Sequence, residues 1–376
     1  MDIKFILRQY IKTAVHHFFL PAVYRIYCKK PVRKGSVIFA DGHHETIPYS
    51  MVQMYDYLQS RGYHIQSFFS DFGKASYMSG LKSMIRFMKA YAEAECVFLC
   101  DYYLPAGSCR KRKETQVVQL WHACGALKKF GYDAEEDISS FYKGNSMKNC
   151  TLVTVSSKIC EPIYARAFGI PKQRVKALGV SRTDRYFSED YKAVCREKFY
   201  KECPGAKGKK IILWAPTFRG NARMPKLQGA KAIDMLERTM EDCFVVRKLH
   251  PHMEGKCGHS NCSMGTEEVM AAADILITDY SSIIFDFMIY DKPIVLFAPD
   301  AGDYTADRGF YTAYDQIPFF HADNEAVLAG TVRRALKGER ASSRETYDCF
   351  YKKYMEQCDG RATERIVQEV FKDGRK

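Results

Sequence analysis

Histidines and hydroxyl-bearing side chains directly follow several short apolar runs of this sequence. His122 comes after QVVQL and a Trp, and His250 comes after FVVRKL. Asp279, Ser281 and Ser282 come after ILIT. An imidazole suits a general base at neutral pH, and hydroxyls beside free backbone N–H groups suit a phosphate oxygen. These residue types, placed directly after expected strands, therefore predict a site that binds a phosphate-containing ligand.

The segment DILITDYSSIIFD falls where a buried strand is expected to give way to a helix. Ser281 or Ser282 would cap this helix with its hydroxyl, and capping alone would explain both serines. The N-terminus of a helix also attracts anions through its free N–H groups and its dipole. Because Arg219, His250 and Arg308 belong to the same half of the chain, a pyrophosphate pocket explains the segment better than a cap alone.

Alternating apolar runs and helical patterns predict the elements that position these residues. Runs that are nearly all apolar and are separated by helices indicate parallel strands buried on both faces. Such sheets bind ligands beyond the carboxyl ends of their strands, which is where the polar residues above fall. The expected strands are residues 36–40, 63–69, 96–100, 116–120, 152–155, 175–178, 211–214, 244–249, 275–278 and 294–297.

The chain of 376 residues is long enough for two domains. The order of its apolar runs predicts two doubly wound, parallel-sheet α/β domains that face a cleft. A polar stretch at 188–210, which contains CPGAKGKK and has helical character in its first half, is expected to be the linker. This leaves an N-terminal domain at 35–187 and a C-terminal domain at 211–376, whose last helix could pack back on the N-terminal domain.

The first 34 residues form a separate, strongly basic segment. They contain eight Lys or Arg residues and one acidic residue, Asp2. Apolar residues recur at helical spacing beside the basic stripe Lys4, Arg8 and Lys12, which predicts a basic amphipathic helix. Such a helix either lies on an anionic membrane or packs on the first domain with a solvated charged edge, and the sequence leaves both open.

Composition limits the classes of partner. The formal net charge of +13 predicts an anionic partner, such as nucleic acid, anionic lipid or a phosphorylated substrate. Fourteen cysteines without a CxxC pair indicate reduced thiols, and no apolar run of ~18 residues is present to span a bilayer. Neither GxGxxG nor GxxxxGK[ST] occurs, and no motif for nucleic-acid binding is recognised, so nucleic acid is not expected as a partner.

One cluster of the sequence consists of residue types that ligate zinc. Its spacing fits none of the usual structural zinc sites, so no metal and no cofactor is expected. The cluster consists of His250, His252, Cys257, His259 and Cys262.

Seven segments, in order, resemble the CDP-glycerol glycerophosphotransferase family, the teichoic-acid polyol-phosphate transferases. They are QLWHACGALKKFGYD, VSSKICEPIYARAFG, GVSRTDRYF, ILWAPTFR, KLHPH, DILITDYSSIIFDFMIYDKPIVLFAPD and DYTADRGFY. The resemblance covers residues 116–314, and LITDYSS with the FD and KPI that follow is its most specific part. Two residues depart from the family's usual pattern. Ala123 stands where a Gly usually follows the Trp-His pair, and Ser181 stands where a Pro usually precedes Arg-x-Asp.

The resemblance implies a GT-B type of fold and peripheral association with the cytoplasmic face of the cell membrane. It also implies transfer of a polyol phosphate, first of all glycerol phosphate, from CDP-glycerol or a related CDP-polyol, with release of CMP. The acceptor would be a hydroxyl of a polyprenyl-linked saccharide or polymer of the cell wall or capsule. The N-terminal domain would take this acceptor, and the C-terminal domain would bind the CDP-polyol.

For this reaction, His122 would be the general base, and His250 would donate to the phosphoryl or leaving-group oxygens. The residues expected to bind substrate are Thr217, Arg219, Asp279, Ser281, Ser282, Arg308, Lys128, Arg182 and Asp184. Two alternatives stay open. One is a GT-B glycosyltransferase that uses a nucleotide sugar. The other is a homologue that keeps the fold and binds a membrane surface or a polyanion without catalysis.

Overall fold

The chain divides into two compact units. The computed structural model describes residues 3–134, 144–217, 219–221, 224–249, 253–255, 258–301 and 309–371. The first unit comprises Met1–Ala123, Phe130–Asp184 and Glu356–Lys376, and the second comprises Cys124–Lys129 and Arg185–Met355. Each unit is built around a parallel sheet, which confirms the predicted α/β class.

Six parallel strands form the sheet of the first unit. They are β1 (Arg33–Asp41), β2 (His64–Phe69), β3 (Ala94–Leu99), β4 (Gln116–Gln119), β5 (Leu152–Val155) and β6 (Val175–Ala177). Their order across the sheet is β2-β1-β3-β4-β5-β6. Strand β1 is buried on both faces, because Val37 and Ile38 are both 0% exposed. Since β2 and β3 lie on opposite sides of β1, the direction of the winding reverses there, and ligands of such sheets sit at this reversal.

Helices cover the sheet of the first unit. Their bounds are α1 (Ile3–Ala14), α2 (Leu20–Tyr27), α3 (Tyr49–Ser60), α4 (Tyr77–Tyr91), α5 (Leu104–Ser108), α6 (Cys160–Phe168) and the C-terminal helix (Ala362–Val370). A π-helical turn, Val15–Phe19, joins α1 to α2. The C-terminal helix places Ile366 in the same buried cluster as Val37 and Phe98, so the end of the chain contributes to the core of the first unit.

Five parallel strands form the sheet of the second unit. They are β7 (Lys210–Trp214), β10 (Cys243–Arg247), β11 (Ile275–Thr278), β12 (Ile294–Phe297) and β13 (Phe320–Ala322). Their order is β10-β7-β11-β12-β13, so the winding reverses at β7. A separate antiparallel hairpin consists of β8 (Arg219–Asn221) and β9 (Met224–Lys226).

Helices of the second unit are α7 (Glu189–Glu202), α8 (Ala230–Thr239), α9 (Thr266–Ala272), α10 (Ile283–Met288), α11 (Glu325–Leu336) and α12 (Arg344–Met355). Short 3-10 turns occur at Gly131–Asp133, Lys172–Arg174, Ser181–Phe187, Pro204–Ala206 and Tyr314–Gln316.

The stretch 188–210, expected to be a linker, is instead part of the second unit. Most of it forms α7, which is capped by the Ser188 hydroxyl and carries acidic residues in its first turn. Cys195 and Phe199 are buried, and Lys198 pairs with Glu268 of α9 at 2.7 Å. The polar composition that suggested a linker is therefore the solvent-facing side of a packed helix.

The N-terminal helices pack on the first unit along one side only. Leu20 and Tyr24 are buried, and the Tyr24 ring lies 5.1 Å from that of Tyr91. On the other side, Tyr10 and Phe18 are 70% and 75% exposed. Within the described part of the chain, no helix is both long and apolar enough to cross a membrane.

Candidate active site

Three polar residues lie in line at one edge of the first unit's sheet. Asp41 ends β1, Asp101 follows β3, and His122 follows β4. These strands are neighbours in the sheet and run parallel, so their carboxyl ends meet at the same edge. The edge includes the reversal beside β1, where such sheets bind ligands.

The ring of His122 is held through its Nδ1 atom. This atom lies 3.2 Å from the carbonyl oxygen of Cys100 and 3.6 Å from Oδ2 of Asp101. A carbonyl can only accept a hydrogen bond, so Nδ1 carries the proton in the neutral ring and Nε2 keeps its lone pair. Nearly half of the His122 side chain is exposed. This geometry suits a general base, because the ring is oriented through Nδ1 while nearly half of the side chain stays accessible to a substrate.

Trp121, the residue before His122, has an unusual backbone conformation. Its φ is +56°, in the left-handed region that residues other than glycine rarely adopt. Gln119 accepts a hydrogen bond from the Trp121 N–H at 3.1 Å, and the Trp121 ring lies 4.2 Å from the His122 ring. Because such conformations cost ~1–3 kcal/mol and concentrate at functional sites, this turn is a structural marker of the site that the sequence did not reveal.

Asp41 organises the loop after β1. Its Oδ1 accepts hydrogen bonds from the N–H groups of His43 and His44 at 2.8 and 2.9 Å, and it lies 2.8 Å from the His44 ring. The Cys100 thiol donates to Oδ2 of Asp41 at 3.5 Å. Burial, followed by the charge of Asp41, raises the pKa of Cys100 well above its ordinary value, so this residue is a neutral thiol.

Arg182 and Asp184, two residues expected to bind substrate, contact the protein itself. Arg182 is buried, and it donates to the backbone carbonyl of His122 at 3.3 Å. Asp184 accepts hydrogen bonds from the N–H groups of Ala362 and Thr363 at 3.0 and 2.7 Å, and thus caps the C-terminal helix. Burial raises the pKa of Asp184 although these hydrogen bonds oppose the shift. The contacts of Asp184 are structural and give no support to a role in substrate binding.

Ser181, one of the two departures from the family pattern, is fully buried. Its hydroxyl lies 2.8 Å from that of Thr363, so it joins the same anchor of the C-terminal helix. The other departure, Ala123, is half-buried, and its carbonyl accepts a hydrogen bond from Tyr164 at 3.4 Å.

The second unit has its own polar cluster where its winding reverses. Thr217 follows β7 and Asp279 follows β11, and these two strands are neighbours in the sheet. The Thr217 N–H donates to Oδ1 and Oδ2 of Asp279 at 2.9 and 3.1 Å. Asp279 is buried, and its carboxylate holds the loop after β7 through these two hydrogen bonds.

Arg219 is held by two carboxylates. Its guanidinium donates to both oxygens of Asp300, at 2.6 and 3.0 Å, and to Asp279 at 2.9 Å. It also lies over the Tyr280 ring at 4.7 Å, and Tyr280 donates to Asp300 at 3.1 Å. Burial opposes the charge of Arg219, but these ion pairs raise its pKa overall. Asp300, a residue not expected at the site from the sequence, is thus the bidentate partner of Arg219.

Ser281 and Ser282 are half-buried at the start of α10. The Ser281 hydroxyl accepts a long hydrogen bond from the N–H of Ile283 at 3.4 Å, and the side chain of Ser282 makes no capping bond. The helix has only six residues, so its dipole is weak and an anion here would depend on hydroxyl and N–H groups.

The segment Cys124–Lys129, which begins two residues after His122, belongs to the second unit. Gly125 has φ +60°, and a Cβ at this position would lie 2.5 Å from the Phe285 ring of α10. Lys128 forms a β-bridge with Phe310. Glycine is therefore required in the HACG sequence by both conformation and space.

Several expected site residues lie outside the described residues. These are His250 and Arg308, together with His252 and Cys257 of the cluster considered for zinc. Within the described part, no group of three or more His, Cys, Asp or Glu residues is placed to hold a metal ion. The roles given to His250 and Arg308 stay predictions.

Two parallel-sheet units, each with polar residues at the reversal of its winding, define a protein of the GT-B type. Comparisons with known proteins identify the family. The family model for CDP-glycerol:poly(glycerophosphate) glycerophosphotransferase matches residues 22–372, and the chain belongs to this family.

Two relatives agree with this assignment, and one solved structure shows the same type of fold. The teichoic acid poly(ribitol-phosphate) polymerase of Bacillus spizizenii is 30% identical over 380 residues, covering 96% of this chain and 59% of its own length. The teichoic acid ribitol-phosphate primase of the same organism is 30% identical, covering 79% of each chain. The wall teichoic acid polymerase TagF has the same fold, with a TM-score of 0.75, 20% identity and 98% of both chains covered. The chain thus spans little more than half of the polymerase it matches.

Proposed function

We propose that this protein transfers a polyol phosphate from a CDP-polyol to a hydroxyl group of a lipid-linked glycopolymer. Membership of the glycerophosphotransferase family supports the reaction class. The structural observation that carries the proposal is the ring of His122, which is anchored at Nδ1 and exposed at an edge where α/β sheets bind ligands.

In this reaction, the acceptor oxygen attacks the β-phosphorus of the CDP-polyol. A new P–O bond forms, the bond from this phosphorus to the bridging oxygen breaks, and CMP leaves. His122 Nε2 accepts the proton of the acceptor hydroxyl, which is the task of a general base. Because Nδ1 is engaged by the Cys100 carbonyl, the ring cannot turn away without losing a hydrogen bond.

The second unit is proposed to bind the diphosphate of the donor. The hydroxyls of Thr217, Ser281 and Ser282 lie at the carboxyl ends of adjacent strands and are the donors available for phosphate oxygens. Arg219 links the loop after β11 to the loop after β12, because it donates to Asp279 in the first and to Asp300 in the second. Lys128, His250 and Arg308 are proposed as further cations and donors for the diphosphate.

We also propose that the protein associates peripherally with the cytoplasmic face of the membrane. Every fourth residue from Tyr10 to Ile26 is exposed and apolar, and the stripe consists of Tyr10, Ala14, Phe18, Ala22 and Ile26. Exposed Lys12 and Arg25 accompany it. An apolar stripe with flanking cations is the arrangement that lies on anionic lipid surfaces.

The reaction is tested by measuring CMP release from a panel of donors with a lipid-linked disaccharide as acceptor. The panel contains CDP-glycerol, because the family name specifies it, and CDP-ribitol, because both relatives described above are ribitol-phosphate enzymes. A UDP-sugar is the comparison donor. Release of CMP from a CDP-polyol is expected, whereas turnover of the UDP-sugar alone would assign the protein to the glycosyltransferases.

The role of His122 is tested by His122→Ala. Loss of a general base is expected to lower kcat by ~10²–10⁴-fold while the fold is retained, because the side chain is half-exposed. His259→Ala, which changes an exposed histidine of the second unit, is the control. Near-normal turnover by His122→Ala would remove this residue from the mechanism.

A further inference from the structure

A cavity of about 400 Å³ lies in the first unit, away from the candidate active site. Ser36, near the amino end of β1, lines it, whereas Asp41 of the active-site edge is the last residue of the same strand. Arg33, the first residue of β1, also lines it. The remaining lining residues come from β2, from the second half of α4 and from segments beside these elements: Lys30, Gln66, Phe68, Arg86, Lys89, Ala90 and Glu93.

Cations outnumber anions around this cavity. Four of the lining residues are Lys or Arg, and Glu93 is the single carboxylate among them. Arg33 pairs with Glu93 at 2.7 Å, and Lys30 lies 3.5 Å from it. Glu93 is nearly buried, and these two cations compensate its charge.

Arg86 and Lys89 remain without a matching carboxylate. Within the described part of the chain, neither of them forms an ion pair, although Lys89 lies 5.6 Å from the Tyr27 ring. The position of Lys89 in the last turn of α4 is favourable for the helix dipole. That effect explains one cation on a surface, but it does not explain a cavity lined by cations from three separate segments.

We propose that this cavity binds a phosphate group. Arg86 offers a planar fork that matches phosphate oxygens, and Lys89 and Lys30 add mobile point charges. The phosphate belongs either to the headgroup of an anionic lipid or to a free phosphorylated molecule. Ile26 of the apolar stripe lies near the end of α2, and Lys30 of the cavity follows this helix by three residues, so the chain connects the stripe directly to the cavity. A lipid headgroup is therefore one candidate source of the phosphate.

Acetylation of lysine side chains, read by peptide mass spectrometry on the full chain, tests the proposal. The probes are inorganic phosphate, with chloride at equal ionic strength as its reference, and phosphatidylglycerol-containing vesicles, with pure phosphatidylcholine vesicles as theirs. Slower acetylation of Lys89 is expected, with no change at Lys207 and Lys209, which are exposed in the second unit.

Two single variants distinguish binding in the cavity from non-specific electrostatic attraction to the basic surface. Arg86→Gln removes a lining charge, and Lys82→Gln removes an exposed charge one turn earlier on α4 that does not line the cavity. The probe concentration for half-protection of Lys89 is expected to rise about tenfold in Arg86→Gln, as for loss of one hydrogen bond to a charged group. It is expected to stay unchanged in Lys82→Gln.

The two probes also distinguish the source of the phosphate. Protection by vesicles alone assigns the cavity to lipid headgroups, protection by inorganic phosphate alone assigns it to a soluble ligand, and protection by both supports a site for either. Absence of protection with both probes, or equal protection in the two variants, would overturn the proposal. CMP release from a detergent-solubilised acceptor reports the active site independently, because the cavity shares no residue with it.

Discussion

At the scale of single residues, the backbone contributes more than the carboxylate to the placement of His122. The Cys100 carbonyl lies within hydrogen-bond distance of Nδ1, at 3.2 Å, whereas Asp101 is farther away, at 3.6 Å. The Asp101 side chain is about a quarter exposed, so its attraction for a protonated ring is partly screened. Asp101 is therefore a positioning residue whose effect should be much smaller than that of the histidine.

Asp101→Asn tests this ranking. We expect kcat to fall about fivefold, since exposed ion pairs contribute up to about 1 kcal/mol, while KM for the CDP-polyol stays unchanged. Steady-state CMP release measures both constants, and Asp190→Asn, at an exposed site on α7, is the control. A loss as large as that of His122→Ala would mean that Asp101 itself takes part in proton transfer.

The ion pair between Arg219 and Asp300 makes a prediction about pH. Although burial opposes it, the hydrogen bond from Arg219 keeps the pKa of Asp300 below its ordinary value of 3.8. A carboxylate with a lowered folded-state pKa contributes stability above its unfolded-state pKa, and this contribution is lost as the pH falls through the folded-state value. Asp300→Asn should therefore be less stable than the native protein near neutral pH. The difference in the free energy of unfolding between the two proteins should narrow below about pH 4.

Urea unfolding of both proteins at a series of pH values measures this difference in the free energy of unfolding. Asp323→Asn, another aspartate that follows a strand of the second unit and is exposed, is the control and should show no such dependence. If the difference in the free energy of unfolding were constant, or increased as the pH falls, this would contradict the role of Asp300 as the charged partner of Arg219.

At the scale of elements, both candidate sites arise from the same feature of sheet topology. In each unit, residues that follow neighbouring strands at the reversal contact each other. In the second unit, Asp279 accepts a hydrogen bond from the Thr217 N–H, and in the first unit the carbonyl of Cys100, which follows β3, holds the ring of His122. The carboxyl ends of parallel strands have no further strand residues to cover them, so polar side chains remain accessible there.

Much of this arrangement could be predicted because buried strands leave a strong signal. The apolar runs at 152–155, 275–278 and 294–297 became β5, β11 and β12 with the predicted bounds. Strand β13 was missed because its three residues, FHA, give no periodicity, and the hairpin of β8 and β9 was missed for the same reason.

Pairings between distant residues could not be predicted from a single sequence. Asp300 follows β12 and Arg219 lies beyond β7, and only the folded sheet shows that the two meet. Asp101 had a local signal, since it follows the run CVFLC directly, but its histidine partner depends on the alignment of β3 with β4. Similarly, the contacts by which Asp184 caps the C-terminal helix join residues distant in sequence and are visible only in three dimensions.

The glycine of the HACG sequence allows a prediction about stability. Gly125→Ala would combine a left-handed backbone with a clash against Phe285, so it is expected to cost about 3 kcal/mol of unfolding free energy. Gly208→Ala in the same unit is a matched control, because Gly208 has φ +77° but nothing lies within 4 Å of its added Cβ. The control should cost only about 1 kcal/mol.

Chemical denaturation of the two variants measures this difference directly. Equal costs would show that the second unit accommodates the new methyl group by moving the Phe285 ring. In that case, glycine at position 125 would be required only by its backbone conformation.

At the scale of the whole molecule, the net charge of +13 has a concentrated source. Eight Lys or Arg residues fall within the first 34 positions, and four of them are on the helices α1 and α2, which carry most of the exposed apolar stripe. Deleting these helices would be a poor test of membrane binding, because Leu20 and Tyr24 are buried in the first unit and their loss would disturb its core. Point changes on the exposed side avoid this difficulty.

The variant Phe18→Ser/Ile26→Ser removes two exposed apolar side chains without touching the buried side of the helices. Since transfer of each such side chain out of water contributes about 1.5 kcal/mol or more, partitioning onto phosphatidylglycerol vesicles should fall by about 100-fold. Vesicle sedimentation measures it. Val194→Ser is the control because Val194 is as exposed as Ile26, at 63%, but belongs to α7 of the second unit. If the control lost as much binding as the double variant, or if the double variant lost none, the stripe would not be the membrane-contacting surface, and electrostatic attraction alone would have to explain association.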